Sequence, residues 1–307
     1  MTTSHRDRER PHASRVVSLA IGMVSMMLAS TVAQTPRSPE LDQILQRAAA
    51  HVEQQARAMS DIVMQGDYLQ VAKGTVRGHD LPDVMTRKTR ADLVVLLDVG
   101  ASGTWAPFRD VYEVDGKPVK DRSEHVSQLV AKIASGSPRD AVAIHDESAR
   151  FNLNAFGVDI DRTVNTPLTT LMFLRTANQP RSSFHLGSVD RIDGMTCRIV
   201  EFSEESRPPL SESVAGSSAR GRFWIEPASG YVLRSELRAE AAITRDWTRF
   251  VRATITVRYA EEHALNAWVP TAMDEQYELN ASDEVITGHA AYSNYRRFGV
   301  STAESAR

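Results

Sequence analysis

From Gly221 to Phe298 apolar and polar residues alternate with almost no exceptions. In the segment 249–259, Val251, Ala253, Ile255, Val257 and Tyr259 fall on one face, and Phe250, Arg252, Thr254, Thr256 and Arg258 on the other. A period of two places every second side chain on the same side of a sheet. One face is apolar and the other charged, so one side packs on something and the other meets water or a second layer. The pattern predicts strands at 221–226, 231–240, 249–259 and 268–279, and a closing strand from Val285 to Phe298.

Earlier in the chain the period changes. Ser38-Pro39-Glu40 reads as an N-cap, a proline at the first helical position and an acidic first turn. Leu41, Ile44, Leu45, Ala48, Val52, Gln55 and Met59 follow at helical spacing. A helix of about 20 residues with one apolar stripe must lay that stripe on the sheet to be stable. Strands are expected at 62–71, 87–98, 105–114, 117–120, 183–189 and 196–202. Asp115-Gly116 and Asp193-Gly194 mark two tight hairpins, because both residue types tolerate positive φ. Lys73 to Met85 and Arg207 to Ala219 read as exposed connections.

Between the hairpins a helical insert is expected, 123–179. Ser123 and Ser137-Pro138 open two of its helices. Its last segment, Thr163 to Leu174, carries Leu168, Leu171, Met172, Phe173 and Leu174 and is apolar on nearly all sides. Such a stretch is buried or lines a cavity, and the sequence does not separate the two. The whole reads as α+β: about ten strands in one large curved antiparallel sheet, with three or four helices grouped at the start and middle. Residues 34–307 are expected to form a single domain.

Charge and cysteine change the picture at the N-terminus. Arg6, Arg8, Arg10 and Arg15 precede an uncharged stretch from Val16 to Ala33 that ends in small residues. This describes a secretory signal peptide over 1–33, cleaved after Ala33, with an uncleaved signal anchor as the alternative. No Cys follows the apolar region, so acylation there is excluded. The full chain carries a net charge of −3; without residues 1–33, which hold four Arg and two acidic residues, it is about −5. A mildly acidic chain without a Lys/Arg cluster is a poor nucleic-acid binder. Cys197 is the single cysteine, so no intramolecular disulfide forms, and it reads as a small buried apolar residue.

Candidate chemistry is sparse. No His-Glu-x-x-His, cysteine pair, phosphate loop or Gly-x-Ser-x-Gly elbow occurs. His145-Asp146-Glu147 and Asp159-Ile160-Asp161 lack metal-ligand spacing and read as solvated faces. His289 reads as a strand histidine rather than a base. Tyr292 to Phe298 packs three aromatics and two arginines into seven residues. Tyr292, Asn294, Arg296 and Phe298 fall on one face, Tyr295 and Arg297 on the other. This is the rim of a ligand cavity or a terminal strand closing the core.

The run Phe223-Trp224-Ile225-Glu226-Pro227-Ala228-Ser229-Gly230-Tyr231-Val232-Leu233-Arg234-Ser235-Glu236 resembles the W-I-D-x-x-T-G-x-x-L-R-x-E hairpin of the lipoprotein-carrier (LolA/LolB-like) superfamily. Phe108–Val119, Gly221–Ile225 and Ala291–Phe298 resemble a family of uncharacterised secreted bacterial proteins, which carries no activity over. The carrier resemblance implies an unclosed antiparallel β-barrel, a long N-terminal helix and helices covering the open side. It also implies a non-enzymatic periplasmic or secreted protein that binds a lipid, a lipidated protein or another apolar envelope component. Leu168, Leu171, Met172, Phe173, Tyr292 and Phe298 would line the cavity or its lid. No cofactor, metal or nucleic acid is expected. The alternative is an envelope scaffold that binds a protein partner and has a packed core; an unrecognised hydrolase comes third.

Overall fold

The computed structural model describes residues 37–74, 84–99, 104–120, 147–153, 166–206, 210, 219–242, 250–280 and 283–297. The leader and its cleavage site, most of the 123–179 insert, the Asp159/Asp161 pair and Phe298 lie outside these residues.

Helix α1 spans Pro39–Met59. The Ser38 hydroxyl accepts a hydrogen bond from the Leu41 N–H at 3.2 Å, and Pro39 fills the first turn, where its missing N–H costs nothing. At the other end the Ser60 hydroxyl donates to the Arg57 carbonyl at 2.8 Å. All seven residues of the expected stripe are buried. His51 and Ala56 widen it, so a buried imidazole and the buried Gln55 amide belong to the packed face.

Among the described residues eleven strands follow. They are β1 (Ile62–Lys73), β2 (Val84–Val99), β3 (Thr104–Val114), β4 (Lys117–Pro118), β5 (Ser182–Ile192), β6 (Met195–Glu204), β7 (Arg220–Ile225), β8 (Val232–Ala242), β9 (Phe250–Glu262), β10 (Ala267–Leu279) and β11 (Val285–Arg297). They form one antiparallel sheet in the order β4-β3-β2-β1-β11-β10-β9-β8-β7-β6-β5. From β5 to β11 the chain is an uninterrupted meander. The pairing of β1 with β11 attaches the first meander to the last strand. β4 and β5 stand at opposite ends and do not pair, so the sheet is an open half-barrel.

The Asp-Gly turns are as expected. Asp115 and Gly116 have φ of 50° and 76°, and Asp193 and Gly194 have 49° and 82°. In β9 the odd-numbered residues 251–259 are buried while Arg252 and Arg258 are exposed. Arg252 reaches Glu240 at 3.1 Å and Arg258 reaches Asp274 at 3.4 Å across the outer face. Exposed pairs of this kind each stabilise by about 0–1 kcal/mol, so the fold rests on the other face. There one continuous apolar core joins α1 to strands from both ends of the sheet. Among the described residues no helix is long and apolar enough to cross a membrane.

Two expectations are corrected. Leu168–Leu174 is not part of an α-helix: Thr170–Leu174 is a 3₁₀ turn, and a second one spans Gln179–Arg181. Pro167 and Thr169 precede it and Thr170 opens it, and β-branched residues disfavour the wider helix. Tyr295 does not lie on the face opposite Tyr292. Asn294 takes a φ of 51°, and the β1–β11 register slips between Val63 and Gln65. This bulge breaks the alternation and brings Tyr295 onto the core side, where its hydroxyl donates to the Pro270 carbonyl at 2.7 Å.

Candidate functional site

The sheet face that carries α1 is the inner face, and the segment Thr166–Leu174 is laid against it. Leu168, Leu171, Phe173 and Leu174 are each at most 1% exposed, while Met172 is half-buried. The Phe173 ring lies 4.6 Å from that of Phe202, which stacks on Phe223 at 5.0 Å. These side chains plug the half of the inner face formed by β6–β9.

Polar contacts hold the plug by its ends. The Tyr259 hydroxyl donates to the Pro167 carbonyl at 2.6 Å and lies 3.1 Å from the Ser235 hydroxyl. The Asn178 amide donates to the Met172 carbonyl at 2.9 Å. The Gln179 amide donates both to the Leu174 carbonyl, at 2.8 Å, and to the Leu45 carbonyl of α1, at 3.1 Å. Arg175 pairs with Glu53 of α1 at 2.9 Å and lies 4.5 Å from the centre of the Trp105 ring. No strand ladder or α-helical ladder runs through the plug itself. Replacing Tyr259 with Phe leaves the buried Pro167 carbonyl without this donor. The expected loss is about 1–3 kcal/mol in a urea unfolding titration.

Tyr292 sits elsewhere on the same face. It is 9% exposed and lies across from Gly66. With Tyr68, Leu93, Arg109, Met273 and Ala290 it surrounds a cavity of about 10 Å³, room for roughly one water molecule. No plug residue lines that cavity. The expected constellation is therefore split. Leu168, Leu171 and Phe173 come together, and Tyr292 belongs to a separate patch.

That patch contains a buried carboxyl group the alternation pattern does not single out. Glu275 is 4% exposed, and the Tyr68 and Tyr277 hydroxyls both bond to it. Burial pushes its pKa up to about 8, against the opposing hydrogen bond from Tyr277. It is therefore largely protonated at neutral pH. Gly288 makes room for it: a Cβ there would run into the Glu275 Oε1. Arg109, itself 9% exposed, lies 5.0 Å from the centre of the Tyr68 ring. The sequence signal was a carboxylate in phase with Met273 and Tyr277, cross-strand from a glycine.

Among the described residues, Cys197 and His289 are not placed as a nucleophile and its base. Cys197 is fully buried, and burial raises its thiol pKa. His289 is on the outer face, 2.6 Å from Asp274. Among the described residues no group of three or more His, Cys, Asp or Glu is placed to hold a metal ion.

No protein-family model matches the sequence, and no curated protein sequence matches it. Several solved structures are similar at low identity. One is a DUF1329 family protein from Desulfovibrio piger, 12% identical over 82% of this chain and 92% of that one, with a TM-score of 0.33. A LolA superfamily protein from Nitrosomonas europaea is 11% identical over 82% and 94%, with a TM-score of 0.31. The lipoprotein LppX from Mycobacterium tuberculosis is 11% identical over 84% and 96%, with a TM-score of 0.26. The likeness to these structures is distant. No residue role is carried across at this distance.

Proposed function

We propose that the protein is a non-enzymatic periplasmic or secreted binding protein that takes an apolar ligand (a lipid, a lipidated protein or another apolar envelope component) on its inner face. The supporting observation is the plug. Four large apolar side chains cover β6–β9 from a short 3₁₀ turn whose backbone bonds are internal to it. An acyl chain fits this face if the plug withdraws, because it buries the same kind of surface. Exposing the four side chains costs about 1.5–3 kcal/mol each, so about 6–12 in total. An acyl chain of about 15 CH₂ groups returns roughly 0.8 kcal/mol for each, about 12 in total. The exchange is close to balanced, as loading and unloading of a carrier require.

A second reading has one observation in its favour. The inner-face cavity around Tyr292 holds about 10 Å³, far too little for an acyl chain. A packed core of this kind suits an envelope scaffold that engages a protein partner. Native mass spectrometry of protein purified from its own envelope, followed by lipid extraction, separates the two. The carrier reading expects bound lipid. Absence of lipid together with a co-purifying protein supports the scaffold. A fluorescent acyl probe adds a direct test: weakening the tether with Tyr259→Phe should tighten probe binding, because the plug competes with the ligand.

A further inference from the structure

The inner face is not uniform from one end of the sheet to the other. Beneath the plug, the buried side chains of β6–β9 include Phe202, Phe223, Leu237, Ile255 and Val257. The half built from β1–β3 with β10 and β11 is more polar. Gln70, Thr89, Arg109 and Glu275 are all buried there. Arg87 stands directly across from Gln70 in the β1–β2 register, so its half-buried side chain leaves the sheet on the same face.

A second segment, 147–153, covers this polar half, and its Ser148, Asn152 and Leu153 are buried. The Gln70 side chain holds it as a neighbouring strand would. The Gln70 amide N–H donates to the Phe151 carbonyl at 3.2 Å, and its side-chain oxygen accepts from the Leu153 N–H at 2.7 Å. The two arginines hold oxygens of the same segment. Arg87 Nη1 donates to the Asn152 carbonyl at 3.2 Å, and Arg109 Nη1 reaches the Asn152 Oδ1 at 3.4 Å.

These contacts indicate what else the polar half would accept. Asn152 offers neutral oxygens, whereas a carboxylate or phosphate meets a guanidinium fork with shorter, charge-assisted bonds. A wholly apolar ligand in place of the segment would take the Asn152 oxygens from Arg87 and Arg109 and return none. A cation would face both guanidinium charges. Glu275, largely protonated at neutral pH, adds no negative charge that would repel an anion. Arg109 also borders the small cavity beside Tyr68 and Tyr292, so it stands where the polar half meets the apolar core. Between β9, under the plug, and β1 lie β10 and β11, a span of about 14 Å at roughly 4.8 Å per strand. A molecule with an acyl chain and a charged head spans both halves.

We propose that the ligand is an anionic amphiphile, with its acyl chain on β6–β9 in place of the plug and its negatively charged headgroup on Arg87 and Arg109 in place of the 147–153 segment. This rests on the apolar-ligand reading above and adds to it the charge and the orientation of the ligand.

The test uses the full chain and two fluorescent probes that differ only in charge, a dansylated undecanoic acid and its methyl ester, titrated at neutral pH. Wild type is expected to bind the acid about tenfold or more tighter than the ester, as a hydrogen-bonded charge pair gives. Arg109→Met keeps an unbranched stem without the charge. It should cut that preference to about threefold or less while ester affinity holds. A purely structural role for Arg109 would weaken both probes alike and leave their ratio unchanged. Arg87→Met, at a half-buried position, should move the ratio in the same direction and decides the matter should Arg109→Met fail to fold. Equal binding of acid and ester by wild type overturns this proposal and leaves the apolar-ligand reading standing. Binding of neither probe overturns both. An undiminished preference for the acid in the folded variants also overturns the assignment of the headgroup to these arginines.

Discussion

Replacing Phe173 with alanine is expected to lower the unfolding free energy by about 3–5 kcal/mol, the range for a fully buried aromatic residue. Phe173 is 1% exposed and sits at the end of the Phe173–Phe202–Phe223 stack, so truncation opens a void that no neighbouring backbone can fill cheaply. Phe173→Asp should be more damaging still, because it adds an unpaired buried carboxylate. A urea titration of each variant gives the loss directly. The same pair of proteins bears on function. Where the plug competes with an acyl ligand, the Phe173→Ala variant binds a fluorescent acyl probe more tightly than wild type, in step with its loss of stability. Where the inner face is permanently packed, both proteins ignore the probe and only the stability changes. A shift of less than about 1 kcal/mol in the alanine variant would mean that Phe173 is not the anchor its burial indicates.

The architecture was legible wherever a local signal decides it. Ser38-Pro39-Glu40 starts α1 by chemistry confined to one turn. The Asp-Gly pairs set two hairpins because they alone in their segments tolerate φ near 50° and 80°. The register of β9 followed from eleven residues of strict alternation. What stayed hidden depends on partners distant in sequence. Nothing within 62–73 names 285–297 as its neighbour, yet the β1–β11 pairing joins the two meanders. The inward turn of Tyr295 hinges on one residue, Asn294, in a conformation that the pattern does not encode. The apolar run around Phe173 announced its burial but not its 3₁₀ form or the side chains that tether it. Gln55 sat on the expected stripe of α1, and His51 lay beside it. That neither the Gln55 amide nor the His51 Nε2 makes a hydrogen bond among the described residues becomes visible only in the folded chain.

The pH dependence of stability should carry the mark of Glu275. Burial holds its carboxyl at a pKa of about 8 in the folded protein, against 4.5 in the unfolded chain. Below about pH 4.5 the group is protonated in both states and imposes no penalty. Between 4.5 and 8 the unfolded chain releases the proton and the folded protein keeps it, so stability falls as pH rises, by up to about 1.4 kcal/mol per unit. Above 8 the folded group ionises as well and the penalty levels off at a few kcal/mol. His51 acts in the opposite sense at lower pH. Its folded pKa of about 4 means that the unfolded chain binds the extra proton between 4 and 6.5, so its contribution rises with pH there. The interval from pH 6.5 to 8 therefore isolates Glu275. In Glu275→Gln the amide keeps the shape of the side chain and bonds both to Tyr68 and to Tyr277 without titrating. The variant should match wild type near pH 4.5 and exceed it by a few kcal/mol at pH 8.5, measured as the difference between urea midpoints at each pH. Parallel curves would show that Glu275 is ionised when folded. A neutral Glu275 instead leaves the Tyr68–Tyr277 part of the inner face without a negative charge at that position.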